Sequence, residues 1–264
     1  MSSSHGFRTL RTNAAGLIAL ALLSACARPS VSPSAIAPGS AKRVEGDRGM
    51  VAASHPDAAA AGVEALRLGG NAVDAAVATG FALSVTDVSQ TGLGGGGALT
   101  FYDARSRKVE HLLFYPRSGL DAAWGQADSA RGTPKPGRAA AVPGMVAGLL
   151  EMQAKFGKLT REQVMAPAIR LARDGFIVSP LLSRTITSSR AKLQVDSLAM
   201  RRFMPNGEAL RPGERLVQPE LATTLSRIAT GGAAAFYTGD IATRLAAKVQ
   251  SQGGLITAAD MGAY

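Results

Sequence analysis

Residues 91–103 read TGLGGGGALTFYD, with five glycines among the six residues from Gly92 to Gly97. Gly92, Gly94 and Gly97 match the G-x-G-x-x-G spacing of a dinucleotide-binding turn, a match that carries weight only where a strand feeds the turn and the turn opens a helix. The flanks give the reverse order. Upstream, residues 71–86 (NAVDAAVATGFALSVT) are Ala-rich and mostly good helix formers. Downstream, ALTFYD and KVEHLLFY are rich in β-branched, aromatic and Leu residues and are separated by a short polar turn, ARSR. Helix, glycine loop, hairpin is not the start of a nucleotide fold, and no Gly-Lys-Ser/Thr follows to make a phosphate-cradling loop. The glycines are therefore expected to let backbone pass close to packed neighbours.

Working outward, residues 48–54 (RGMVAAS) predict a short apolar strand. A helix follows from Pro56 and Asp57, with Val63, Leu66 and Ala59 expected on its inner face and Gly69-Gly70 as a left-handed stop. Asn71 is placed to cap the small-residue helix, and Asp74, three residues on, to support that cap at the positive end of the dipole. After the hairpin, residues 119–138 read as a long polar loop. Helices are predicted in VPGMVAGLLEMQAKFG, closed by Gly157, and in TREQVMAPAIRLARDGF, where Thr160 and Gln163 have capping-box spacing. Pro167 inside the latter predicts two short helices or a kink, and Asp174-Gly175 reads as its end. Asn206-Gly207 and Pro212-Gly213 signal turns. Two further helices are expected in QPELATTLSRIATGG and GDIATRLAAKVQSQGG, and TAADMGAY opens a last capping box at Thr257.

At 264 residues, 46% hydrophobic and 18% charged, the chain has globular composition and length for one large domain or two small ones. The net charge of +10 is spread over single and paired basic residues, which supports mild attraction to anionic partners but not nucleic-acid binding. Arg8 and Arg11 precede an apolar run, residues 13–25, too short to span a membrane comfortably, as in a secretory signal. The run ends in Leu23-Ser24-Ala25-Cys26, which resembles the lipobox of bacterial lipoproteins. Cys26, the single cysteine, is thus the expected lipidation site, and Ala27 in the next position implies export to the outer membrane on its periplasmic side. Residues 1–25 are then the signal peptide, residues 26–43 a Pro/Ser/Ala tether, and residues 44–264 the folded part.

Three stretches, running from GMVAASHPDAAAAGVEALRLGGNAVDAAVATGFALSVTDVSQTGLGGGGALTFYD through AVPGMVAGLLEMQAKFGKLTREQVMAPAIRLARDGF to ERLVQPELATTLSRIATGGAAAFYTGDIATRLAAKVQSQGGLITAADMGAY, together resemble the large-subunit portion of the gamma-glutamyltranspeptidases. GGNAVDAAVA, GLGGGG, VPG and PAIRLARDGF are the specific parts, and they occur in order. The resemblance implies an α/β (α+β) fold, the large-subunit half of an N-terminal-nucleophile hydrolase α/β/β/α sandwich made from a self-cleaving precursor. It implies a Thr nucleophile at the start of a small subunit, with its own α-amine as base, taking a γ-glutamyl group from glutathione or a similar donor. It implies no cofactor.

No Thr of this chain has the family's processing-site setting. Thr91, Thr100 and Thr257 read as loop, strand and cap residues, so the chain is expected to be incomplete at its C-terminus, inactive alone, and partnered by a small subunit. One binding residue can be carried over. Family members hold the substrate α-carboxylate with an Arg in an Asp-x-Arg-Glu-x-Ala-Pro segment after the hairpin, and here LLFYPRSGL offers Arg117 without the Asp, the Glu or the Ala-Pro. A guanidinium suits a planar carboxylate by donating two parallel hydrogen bonds. The altered surroundings leave open a related acylase with another acyl group, or a non-catalytic lipoprotein scaffold. His55, at a helix start, and His111, in a strand, have no ligand-spaced neighbours and do not predict a metal site.

Overall fold

The computed structural model describes residues 45–120 and 136–264. Residues 1–44, with the expected signal peptide, Cys26 and the expected tether, lie outside the described residues, as do 121–135 of the expected polar loop. Residues 47–264 form one compact unit.

Its centre is helix α2 (Ala72–Thr86), apolar on nearly all sides and buried from Val73 to Thr86 apart from a few positions. Around it pack α1 (Pro56–Arg67), α3 (Met145–Phe156) and α4 (Arg161–Asp174), and α8 (Pro219–Gly231) lies on α4. Between them the chain forms α5 (Pro180–Ser188), α6 (Arg190–Leu193) and α7 (Ser197–Phe203), and it closes with α9 (Ala234–Tyr237), α10 (Gly239–Ser251) and α11 (Ala258–Gly262). Strands β1 (Gly97–Asp103) and β2 (Lys108–Phe114) make an antiparallel hairpin, and β3 (Phe176–Ile177) pairs with β4 (Arg215–Leu216).

The caps form where spacing placed them. The Asn71 side chain accepts from Val73 N and Asp74 N, and Asp74 Oδ2 returns a bond to Asn71 N at 2.8 Å. Asp74 is fully buried and also accepts from the backbone of Lys158 and Leu159, so one carboxylate ties the start of α2 to the α3–α4 turn. Gly157, next to it, has no room for a Cβ, which would sit 2.6 Å from Asp74 Oδ1. Thr160 with Gln163 and Thr257 with Asp260 complete two more capping boxes.

Three expectations fail for reasons of tertiary contact. The inner face of α1 is Ala58, Ala61, Gly62 and Ala65, whereas Val63, Leu66 and Ala59 are only partly buried. Helices α1 and α2 approach so closely that a Cβ on Gly62 would strike Thr79 Oγ1 and lie 2.9 Å from Val51, so the smallest residues take the contact. Residues 48–54 form no strand: Val51 and Ala53 turn inward in alternation, but among the described residues no neighbouring strand supplies a ladder. The division into two short helices at Pro167 does not occur, and α4 is one helix of 14 residues. Pro167 itself is buried, and packing against α2 and α8 outweighs the hydrogen bond that it cannot donate.

The hairpin turn, Ala104–Arg107, is fastened by Asp103, which accepts from Arg105 N at 3.0 Å and Ser106 Oγ at 2.7 Å. Leu99, Phe101 and Leu112 face the helices, with the Phe101 and Phe156 rings 5.6 Å apart. The cross-strand pairs Ala98–Leu113, Thr100–His111 and Tyr102–Val109 form the opposite face, which is open to solvent. One face on helices and one apolar face uncovered is the form of a single sheet layer in a layered α+β fold.

The glycine loop uses its freedom at one end only. Gly92 and Gly94 have open space around them, whereas a Cβ on Gly96 would collide with the Phe114 carbonyl and lie 2.5 Å from Pro116 Cδ. Gly96→Ala should therefore lower stability by about 1–3 kcal/mol while Gly94→Ala stays within about 0.5 kcal/mol. Equal urea midpoints for the two variants would contradict the packing account. Asp74→Ala, which orphans the backbone donors of two turns, should cost about 2–4 kcal/mol in the same measurement.

Candidate functional site

The end of β2 is where the glycine loop, the start of α3 and the C-terminal residues meet. Phe114 is buried, and its ring fills the space left by Gly148 of α3, where any Cβ would overlap it. Gly144, the N-cap of α3, has no side chain to cap with. The Gly95 carbonyl does so instead, accepting from Gly144 N at 2.9 Å and Met145 N at 3.0 Å.

Beyond Phe114 the chain passes through Tyr115 and Pro116 to Arg117, which is exposed. Its backbone is fixed by a two-bond bridge to Val142: Arg117 N donates to Val142 O at 3.0 Å, and Val142 N donates to Arg117 O at 2.8 Å. The guanidinium carbon lies 4.6 Å from the ring centroid of Tyr264. Among the described residues no carboxylate forms an ion pair with Arg117. Three residues further on, Leu120 N donates to Asp260 Oδ1 at 2.6 Å, tying the strand exit to α11. That backbone donor, with Thr257, holds the Asp260 carboxyl below its usual range.

Tyr264 donates its hydroxyl proton to Tyr115 O at 3.0 Å and stacks on Tyr237, with centroids 5.4 Å apart and planes at 11°. Tyr237 in turn donates to Pro143 O at 2.8 Å and accepts from Ala147 N at 3.2 Å, so its hydroxyl sits on the first turn of α3. Burial pushes the Tyr237 phenol far above its ordinary range. Burial also raises the Tyr264 phenol, against the opposing pull of Arg117, and nearby Glu151 adds to the rise. Both hydroxyls therefore keep their protons at neutral pH.

The remaining sequence candidates have structural roles. His55 caps α1, its Nδ1 accepting from Asp57 N, and its ring meets Phe176 edge-on. His111 pairs across the hairpin with Thr100 at 2.8 Å. Thr91 lies in the glycine loop against Met145 Sδ, and Thr257 caps α11. Asp174 pairs with Arg173, which keeps its carboxyl acidic, and Gly175 ends α4 at φ 79°. No cluster of metal-ligating side chains occurs among the described residues. An open cleft of about 270 Å³ between α1 and α4 is lined by Asp57, Ala60, Pro167, Arg170, Leu171, Asp174 and Gly175. Arg170 in this cleft is already held by Glu64 at 2.6 and 2.8 Å. The two tyrosines at Arg117 carry no sequence signal, because they lie 120 and 147 positions from it in the chain.

The family model for gamma-glutamyltranspeptidase matches residues 58–264. The glutathione hydrolase proenzyme of Bacillus subtilis (strain 168) is 37% identical over 226 residues, covering 83% of this chain and 38% of the relative. The acylase ACY 1 proenzyme of Pseudomonas sp. (strain V22) is 38% identical over 234 residues, covering 84% and 42%. Among solved structures, Helicobacter pylori gamma-glutamyltranspeptidase superposes with a TM-score of 0.79 at 33% identity, covering 84% of this chain and 66% of that one. The cephalosporin acylase of Bacillus halodurans gives 0.76 at 30% identity, covering 85% and 44%. The chain spans about two fifths of the length of the curated relatives it matches. Its α+β fold is that of the large-subunit portion of these N-terminal-nucleophile hydrolases, and the chain belongs to the gamma-glutamyltranspeptidase family.

Proposed function

We propose that this chain is the large-subunit portion of an enzyme that transfers or hydrolyses the γ-glutamyl group of glutathione or related donors, with Arg117 holding the donor α-carboxylate. The observation that carries the reading is a guanidinium at the end of β2 with fixed backbone and no carboxylate partner among the described residues. Such a group can offer two parallel N–H donors to a planar anion. In this reading a Thr at the N-terminus of the small subunit, beyond this chain, attacks the γ-carbonyl carbon. Its hydroxyl proton passes through its own α-amine to the departing amine, and water or an acceptor amine then cleaves the ester. The partner sheet of that subunit covers the open hairpin face, where Tyr102 is 58% and Val109 64% exposed. The name proenzyme borne by the relatives supports such a two-part precursor.

A second reading, a related acylase with a different acyl group, is favoured by the missing Asp, Glu and Ala-Pro around Arg117 and by acylase relatives as similar as the glutathione hydrolases. The two differ in the donor they need. In the mature enzyme made from the complete precursor, Arg117→Ala should raise KM for a γ-glutamyl anilide roughly 30-fold, the worth of a charged bidentate contact of about 2 kcal/mol. An unchanged KM, with faster turnover of an acyl anilide lacking the α-carboxylate, would favour the acylase.

In this reading residues 1–25 are a lipoprotein signal peptide, and lipid on Cys26 tethers the domain on the periplasmic side of the outer membrane. Cys26→Ser should move the protein from the membrane fraction to the soluble one. Retention in the membrane would contradict anchoring through Cys26.

A further inference from the structure

We propose that Tyr264, backed by Tyr237, is the positioning residue for the Arg117 guanidinium and so helps set affinity for the donor carboxylate. This rests on the reading of Arg117 as carboxylate ligand. A flexible arginine binds a planar anion well only if its fork is held in one orientation, because otherwise ordering the side chain offsets the contact. An acidic neighbour can hold it, but it occupies the same N–H groups that the substrate needs. A ring face holds the cation through its π-electrons and leaves the N–H edge unoccupied. Arg117 lies 4.6 Å from the Tyr264 centroid, and the Asp and Glu of the family pattern are missing from its segment.

The ring is itself immobilised at both ends. Its hydroxyl is bonded to Tyr115 O, two residues before Arg117, so cation and ring are referenced to the same strand end. Its face rests on Tyr237, whose hydroxyl is bound by Pro143 O and Ala147 N. The acidic group close enough to affect Tyr264, Glu151, is engaged by Lys155 at 2.5 Å. Arg117, Tyr264, Tyr237 and the start of α3 thus form one stack, through which the guanidinium is held against a helix end and not against an acid.

The test is a double-mutant cycle on the mature enzyme with a γ-glutamyl anilide donor. Tyr264→Leu should raise KM about tenfold with kcat within about twofold, and Tyr264→Phe, which keeps the ring, only two- to threefold. In the Arg117→Ala background, Tyr264→Leu should add nothing. The same factor in both backgrounds, or no effect of Tyr264→Leu beside a normal Arg117→Ala response, would overturn the proposal while the ligand reading stands. Arg117→Ala with unchanged KM would remove the reading and this proposal with it. Should Tyr264→Leu fail to mature, Tyr237→Phe, which loses two buried bonds but keeps the stack, should give a smaller KM rise that also vanishes without Arg117. A rise that persists without Arg117 would count against positioning.

Discussion

Phe114 packed against glycine is the contact on which the rest of this architecture depends. Its carbonyl lies where side chains at Gly96 and Gly144 would be, and its ring lies where one at Gly148 would be. A strand end, a loop and a helix can come this close only if the loop, at Gly96, and the helix start, at Gly144 and Gly148, give up their Cβ atoms. The approach brings the Gly95 carbonyl onto the uncapped N-terminus of α3 and leads the chain directly to the Arg117–Val142 bridge. The glycine-rich stretch thus does for packing what it does for a phosphate in nucleotide folds, with a helix N-terminus as the recipient in both cases.

This packing puts the candidate site on the rim of the hairpin and not in a cavity. The helices cover one face of β1 and β2, and Arg117 follows the last residue of that covered layer. The open face beside it, with Tyr102, Val109 and Leu113, is suited to a second sheet, so the reacting groups would meet where two layers join. Substrate affinity would then depend on how firmly the large-subunit side of that junction is held, which is the role we propose for the tyrosine stack on α3.

The sequence was legible where the physics is local. Capping boxes at Asn71, Thr160 and Thr257 follow from partners three residues apart, and the hairpin from two β-rich runs around a polar turn. It was not legible where distant segments decide. The inner face of α1 falls on Ala58, Ala61, Gly62 and Ala65 because α2 comes too close for Val63 or Leu66, and residues 48–54 have strand composition without a strand to pair with among the described residues. Of the candidate site, Arg117 was an expectation from resemblance to a family motif. Tyr237 and Tyr264 could not be expected, since only the fold brings them beside it.

The central claim is that Arg117, held from behind by an aromatic face, receives a carboxylate. A crystal structure of the mature enzyme with a bound γ-glutamyl compound tests this most directly. The account predicts the ligand α-carboxylate about 2.7–2.9 Å from the guanidinium nitrogens of Arg117, with the Tyr264 ring still stacked on its other face. A carboxylate held by other residues, with Arg117 turned to solvent, would contradict it.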